Sequence, residues 1–170
     1  FINVDNEKMS KSLGNLVLVR RLAAEGHHPD TVRLYLLQHH YRQAWNWDPA
    51  RFQDTAAMTR TLHAAIARVS PGQRLLDLSR FGPRVTGALD DDLNTPEAVN
   101  AAMELADAII DAPPGSDLRP AQDLLRATAG QLLGLHLVPV VPAPGELMGR
   151  WPAPLVAEPD LLLPPEDESA

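Results

Sequence analysis

The 170-residue chain has no cysteine, so its own residues can form neither a disulfide framework nor a thiolate metal site. It has no apolar run near the ~20 residues a membrane helix needs. It has no signal-peptide pattern either: the first fifteen residues are largely polar and carry Lys8 and Lys11. It also lacks an initiating methionine. Phe1 stands first, and the chain reads as a piece or trimmed form of a longer protein whose remaining part could carry much of an active site. These absences predict a chain that is not membrane-bound and resides in the cytoplasm. Apolar residues make up 45% of it, which suits a packed core and excludes wholesale disorder.

Acids exceed bases, with a net charge of −7, but the excess is uneven. Residues 1–52 hold seven Lys/Arg (8, 11, 20, 21, 33, 42 and 51) against five acids, a balance of +2, and the remainder carries −9. The positive end is where a phosphate-bearing partner would be expected.

The patterning is helical almost throughout. A short helix is expected from about Leu16 to Glu25, closed by Gly26. Pro29 opens a second helix, with Val32, Tyr35, Leu36 and His39 at helical spacing to about His40. Asp48-Pro49 is an N-cap and first-turn signal for a long third helix. On it Phe52, Ala56, Thr59, Leu62, Ile66 and Val69 recur every three or four residues as far as Ser70-Pro71-Gly72. A helical stretch from Gln73 to Leu89 should be broken or kinked at Gly82-Pro83. Thr95-Pro96 starts the next helix, ended by Pro113-Pro114-Gly115. Pro120 opens a last one, with Gly134 near its end. Eight of the sixteen prolines fall in residues 139–170, which predicts an extended tail. The residues near Phe1 to Val4 alternate like the end of a strand.

The segment with the most chemistry is Lys8-Met9-Ser10-Lys11-Ser12-Leu13-Gly14-Asn15. Two ammonium groups three positions apart can both reach one polyphosphate. Ser10, Ser12 and Gly14 let the backbone approach anionic oxygens and let the loop move. The string resembles the KMSKS signature of class I aminoacyl-tRNA synthetases. The resemblance implies that Lys8, Met9, Ser10, Lys11 and Ser12 bind ATP, with magnesium. It also implies that Lys8 and Lys11 stabilise the charge developing on pyrophosphate as an amino-acid carboxylate attacks the α-phosphorus. Lysine's mobile point charge suits that task better than a rigid fork, and Lys11 is expected to make the more direct contact.

Two further strings narrow the resemblance. Asp30-Thr31-Val32-Arg33-Leu34-Tyr35-Leu36-Leu37 followed by His40-Tyr41-Arg42, and Ala88-Leu89-Asp90-Asp91-Asp92-Leu93-Asn94-Thr95-Pro96-Glu97-Ala98, are similar to segments of cysteinyl-tRNA synthetases, over residues 1 to about 137. The implied fold is all-α: connecting helices after the signature loop, an antiparallel helical bundle of DALR type, and a Pro-rich tail. The implied division is 1–18 for the end of a catalytic domain, 19–70 for a stem-contact helical region, 71–138 for the DALR-type domain and 139–170 for the tail. The implied partners are ATP, cysteine and tRNA(Cys), with Arg33, Tyr41 and Arg42 as tRNA-contact candidates, in a monomeric parent. Zinc is implied for that parent, but its ligands are not among this chain's residues.

Alternatives stay open. Asn15-Leu16-Val17-Leu18-Val19, Trp45-Asn46-Trp47 and the early end at Leu133-Gly134-Leu135 lean towards the related mycothiol-type ligases, which join cysteine to a glucosaminyl-inositol, whereas Leu13 and Asn94-Thr95-Pro96 lean towards the tRNA enzyme. A non-catalytic helical module binding tRNA or protein is a third reading. Asp90, Asp91, Asp92 and Asn94 do not make a calcium loop, because the sixth and twelfth positions are Thr95 and Ala101; the acids are expected instead to cap and charge-complement the helix at Pro96. The histidine pairs 27–28 and 39–40 read as structural or solvent-facing, so no metal ligand is expected. Trp45 and Trp47 read as packing at a helix junction, against base stacking. For Tyr41 and Arg42 a structural role competes evenly with tRNA contact.

Overall fold

In a computed structural model, residues 2–137 of the chain are described. The Pro-rich segment and its proposed division at 139 lie outside them.

The expected all-α fold needs one correction. A small three-stranded sheet of order β2-β1-β3 precedes and interrupts the helices, with β1 at Ile2–Val4, β2 at Glu7–Lys8 and β3 at Trp45–Asn46. Asp5 and Asn6 both take left-handed φ (52° and 65°), as a two-residue hairpin turn requires, and this sets Asn3 opposite Lys8. β3 runs parallel to β1, with Ile2 opposite Trp45, and Trp47 donates its N–H to Asn3 O at 2.7 Å. Two residues of β3 were too few for a period-2 signal to show in the sequence.

α1 spans Val19–Ala24 and α2 spans Pro29–Leu37. Gly26 closes α1 as expected: at φ 86° it donates to Ala23 O while His27 donates to Leu22 O. α2 is capped by His28, whose Nδ1 accepts from the N–H of Asp30 at 3.1 Å. α3 (Pro49–Ala67) starts where Asp48-Pro49 predicts, with Asp48 Oδ1 accepting from the N–H groups of Ala50 and Arg51. Its predicted apolar stripe runs one residue too far, since Val69 is 88% exposed beyond the helix end. α4 (Phe81–Asp90) begins later than expected. Pro83 sits in its first turn, where the missing N–H costs nothing, and so does not kink it. α5 is Thr95–Ile110 and α6 is Arg119–Leu125, which passes into a π-helix over Arg126–Leu132.

Two cores hold these elements. The larger centres on α5, whose Ala98, Ala101, Ala102 and Ala106 are all buried with Val99, Leu105 and Ile109. Small side chains on several faces let α3, α4 and α6 approach it closely. Two helix ends are capped from other elements. Arg68 donates to the carbonyls of Ile109 and Ile110 at the end of α5 and of Ala112 just past it, and the Gln122 amide donates to those of Ala65, Ile66 and Arg68 at the end of α3. The smaller core is Leu22, Val32, Tyr35 and Phe52, with Val17, Trp45 and Trp47 against it. The Tyr35 ring is edge-on to Trp45, Trp47 and Phe52, and its hydroxyl accepts the Asp48 N–H at 2.9 Å. The two tryptophans therefore pack, as expected, where α2 and α3 meet, Trp45 from β3 and Trp47 from the segment after it.

Candidate functional site

The signature segment begins at Lys8, the last residue of β2, and two residues after its end at Asn15 the chain packs Val17 against the aromatic core. Both ends are therefore anchored, and residues 9–16 form a loop between them with a turn at 11–14. Lys8, Lys11 and Ser12 are exposed; Met9 and Ser10 are half-buried. The five predicted nucleotide-contacting residues thus run from the end of β2 into one surface loop, with neither lysine buried.

Internal hydrogen bonds shape that loop. Asn15 is its staple: Oδ1 accepts from the N–H of Ser10 at 2.9 Å, and Nδ2 reaches Lys8 O at 3.5 Å. Ser10 Oγ lies 3.2 Å from Ser12 Oγ and accepts from the N–H of Leu13. Gly14, at φ 66°, donates to Lys11 O. The N–H of Val17 points at Met9 Sδ at 3.4 Å. The serine hydroxyls bond to the turn itself, so a phosphate arriving there would exchange with these weak, exposed bonds. Asn15 stood in the sequence string but carried no assigned role; its spacing of five from Ser10 gave no local-turn signal.

The tRNA-contact candidates do not share this turn, and they do not share one another's surroundings. Arg33 is exposed on α2 and packs over Gly134, where a Cβ would lie 3.1 Å from the guanidinium. It borders a largely apolar cavity of about 300 Å³ with Val19, Val32, Leu36 and His136. Tyr41 and Arg42 lie in the loop after α2 and converge on Asp92. The Tyr41 hydroxyl donates to Asp92 Oδ1 at 2.8 Å, Arg42 reaches the same oxygen at 2.9 Å, and Arg42 Nε donates to the Tyr41 hydroxyl at 2.7 Å. Hydrogen bonding to Tyr41 and the charge of Asp92 raise the Arg42 pKa further. Asp92 itself does not cap the next helix as expected. Asn94 does, accepting from the N–H of Glu97, and Asp92 sits at φ 52° in the turn before it.

A second polar cluster went unforeseen. Asp30, 1% exposed, is hydrogen-bonded to His63 Nε2 at 2.9 Å and accepts from the N–H groups of His136 and Leu137. Burial opposes its ionisation, but the bonds from His63, His136 and Leu137 outweigh burial and hold the carboxyl well below the usual carboxylate range. Burial also pushes His28 down, against the attraction of Asp30. The signal for this cluster was a histidine on a helix face, which sequence alone cannot pair with an acid thirty-three positions away.

No helix among the described residues is long and apolar enough to cross a membrane. Residues 1–57 match the family model described as the tRNA synthetases class I (C) catalytic domain. The chain is 37% identical over 133 residues to the cysteine–tRNA ligase of Acidovorax sp. (strain JS42), covering 78% of this chain and 28% of that protein. It is 41% identical over 136 residues to the L-cysteine:1D-myo-inositol 2-amino-2-deoxy-alpha-D-glucopyranoside ligase of Thermobifida fusca (strain YX), covering 80% of this chain and 32% of that one. A protein of the latter name from Nocardiopsis dassonvillei is 37% identical over 136 residues, again 80% of this chain and 32% of that one. The chain thus spans about a third or less of the relatives it matches.

Proposed function

We propose, from the match of residues 1–57 to the tRNA synthetases class I (C) catalytic domain and the likeness to cysteine–tRNA ligases, that the chain is part of a cysteine–tRNA ligase. The reaction is activation of cysteine with ATP and magnesium to cysteinyl-adenylate, followed by transfer to tRNA(Cys). Lys8 and Lys11 act on the triphosphate. As the cysteine carboxylate attacks the α-phosphorus, negative charge builds on the leaving pyrophosphate, and ammonium groups on a loop anchored at both ends can close on it. That interaction strengthens towards the transition state and so raises the rate more than it tightens ground-state binding.

The observation that carries this reading is the exposed loop with Lys8 at its entry from β2 and Lys11 on its turn, in the segment that the family pattern covers. The family's zinc would bind the cysteine thiolate in the parent, and no residue of this chain is assigned to it. Arg33 and the Tyr41–Arg42 loop are offered as tRNA contacts, Arg42 only once it leaves Asp92.

The likeness to the Thermobifida fusca ligase favours a second reading, in which the activated cysteine goes to a glucosaminyl-inositol. Acceptor assays on the product of the full reading frame separate the two. Cysteine loaded onto tRNA, with the amino sugar ignored, supports the first reading; the reverse outcome overturns it in favour of the second.

A further inference from the structure

Four metal-ligating side chains converge beneath the first turn of α2, from three distant parts of the chain. Asp30 is the centre. Its Oδ2 lies 2.9 Å from His63 Nε2 on α3 and 3.8 Å from His28 Nδ1. Its Oδ1 lies 3.1 Å from Nδ1 of His136, in the segment that follows the π-helix. The donor atoms of His28, Asp30 and His63 all lie within 4.8 Å of one another, and all three residues are buried. His136, its side chain 54% exposed, stands at the rim.

We propose that this cluster is a binding site for a divalent transition metal of the zinc type, with His28, Asp30 and His63 as ligands and His136 as the fourth. Three imidazoles and one carboxylate match the borderline donors zinc prefers, whereas magnesium and calcium would demand oxygens that are not there. Bonds of about 2.0–2.2 Å in a tetrahedron set donors roughly 3.4 Å apart. Asp30 Oδ2 lies 2.9 Å from His63 and 3.8 Å from His28, while His136 meets the other oxygen, Oδ1, at 3.1 Å; binding would widen the contacts to His63 and His136 and shorten the one to His28. A cavity of about 220 Å³, lined by His28, His63, Thr31 and Thr59, opens beside the cluster and gives an ion a way in.

The exchange is balanced in bonds. The metal takes the place of the proton between Asp30 Oδ2 and His63 Nε2, a neutral His63 carrying its proton on Nδ1 instead, and His28 turns its Nδ1 from the N–H of Asp30 to the metal. Asp30 keeps the N–H groups of His136 and Leu137, an outer shell that holds a ligating carboxylate in place. Bound metal would fasten residues 136–137 to α2 and α3. This departs from the sequence expectation of structural histidines, because the fourfold convergence is tertiary. It does not depend on the ligase reading.

The test is cobalt(II) titration of the untagged, chelator-stripped 170-residue chain. Visible d–d bands of tetrahedral intensity should saturate at one metal per chain and bleach on adding zinc, and zinc should raise the melting temperature. His63→Gln should abolish the bands. His136→Gln, a rim change that spares the buried pair, should weaken cobalt binding tenfold or more. His40→Gln, in the other histidine pair, should leave binding unchanged. Absence of the bands in the folded wild-type chain overturns the proposal, and so does binding that survives both His63→Gln and His136→Gln but fails in His40→Gln.

Discussion

The Tyr41 hydroxyl donates to Asp92 at 2.8 Å across fifty-one positions of sequence, and Arg42 shares the same carboxylate oxygen. The bond ties the loop after α2 to the turn before α5, joining two strings that sequence reading treated as separate. It also means that Arg42 already has a carboxylate where a phosphate would have to sit. Substituting Asp92→Asn should free the guanidinium. At low salt, tRNA affinity should rise, and the dependence of log affinity on log salt should steepen by about one phosphate contact. A variant that binds more weakly, with an unchanged slope, would make the trio a purely structural tie.

Gln122 should be costly to lose. Its amide nitrogen serves three carbonyls at the end of α3, one at 2.8 Å, and the residue is 8% exposed. Gln122→Ala strands those acceptors in a buried place and should lower stability by about 1–3 kcal/mol in urea unfolding. A change near zero would mean that water replaces the amide without penalty.

Acid should weaken the fold in two stages. His28 has a depressed folded pKa, so the unfolded chain takes up its proton first. The stability from keeping it neutral is complete above about pH 6.5 and is lost as pH falls below that. Asp30, held low, adds stability above its unfolded value of about 4 that is lost as pH falls further. With chelator present, unfolding free energy should decline from pH 7 to pH 5, and His28→Gln should flatten that decline. Asp30→Asn should cost about 3 kcal/mol at pH 7, since it leaves the His63 and backbone donors without their charge partner. A pH-independent stability in the wild type would contradict both assignments.

The 170-residue chain alone is expected to catalyse no ATP–pyrophosphate exchange. Residues 8–51 supply cations and helices, but the expected adenine and amino-acid contacts are not assigned to any residue of this chain. Measurable exchange above a Lys8→Ala/Lys11→Ala control would overturn that division of labour.

Local signals were the legible ones. Asp48-Pro49, Thr95-Pro96 and Gly26 marked helix ends because caps act over three or four residues. The signature string stood out as a motif for the same reason: its small residues and both lysines are contiguous. What escaped was tertiary. β3 pairs with β1 more than forty residues away, and Gln122 caps a helix that ended fifty-four positions earlier. Asp30 gathers histidines from positions 63 and 136. Val69 shows the opposite error, where periodicity carried on past the point at which Arg68 turns to extended backbone.

The central claim is that Lys11 acts on the triphosphate in the transition state. Cysteine-dependent ATP–pyrophosphate exchange, measured on the full-reading-frame protein with and without Lys11→Ala, tests it directly. The account predicts a kcat lowered roughly 100-fold or more, equivalent to about 3 kcal/mol of lost transition-state stabilisation, with the KM for cysteine nearly unchanged. Small and equal changes in both constants would contradict it.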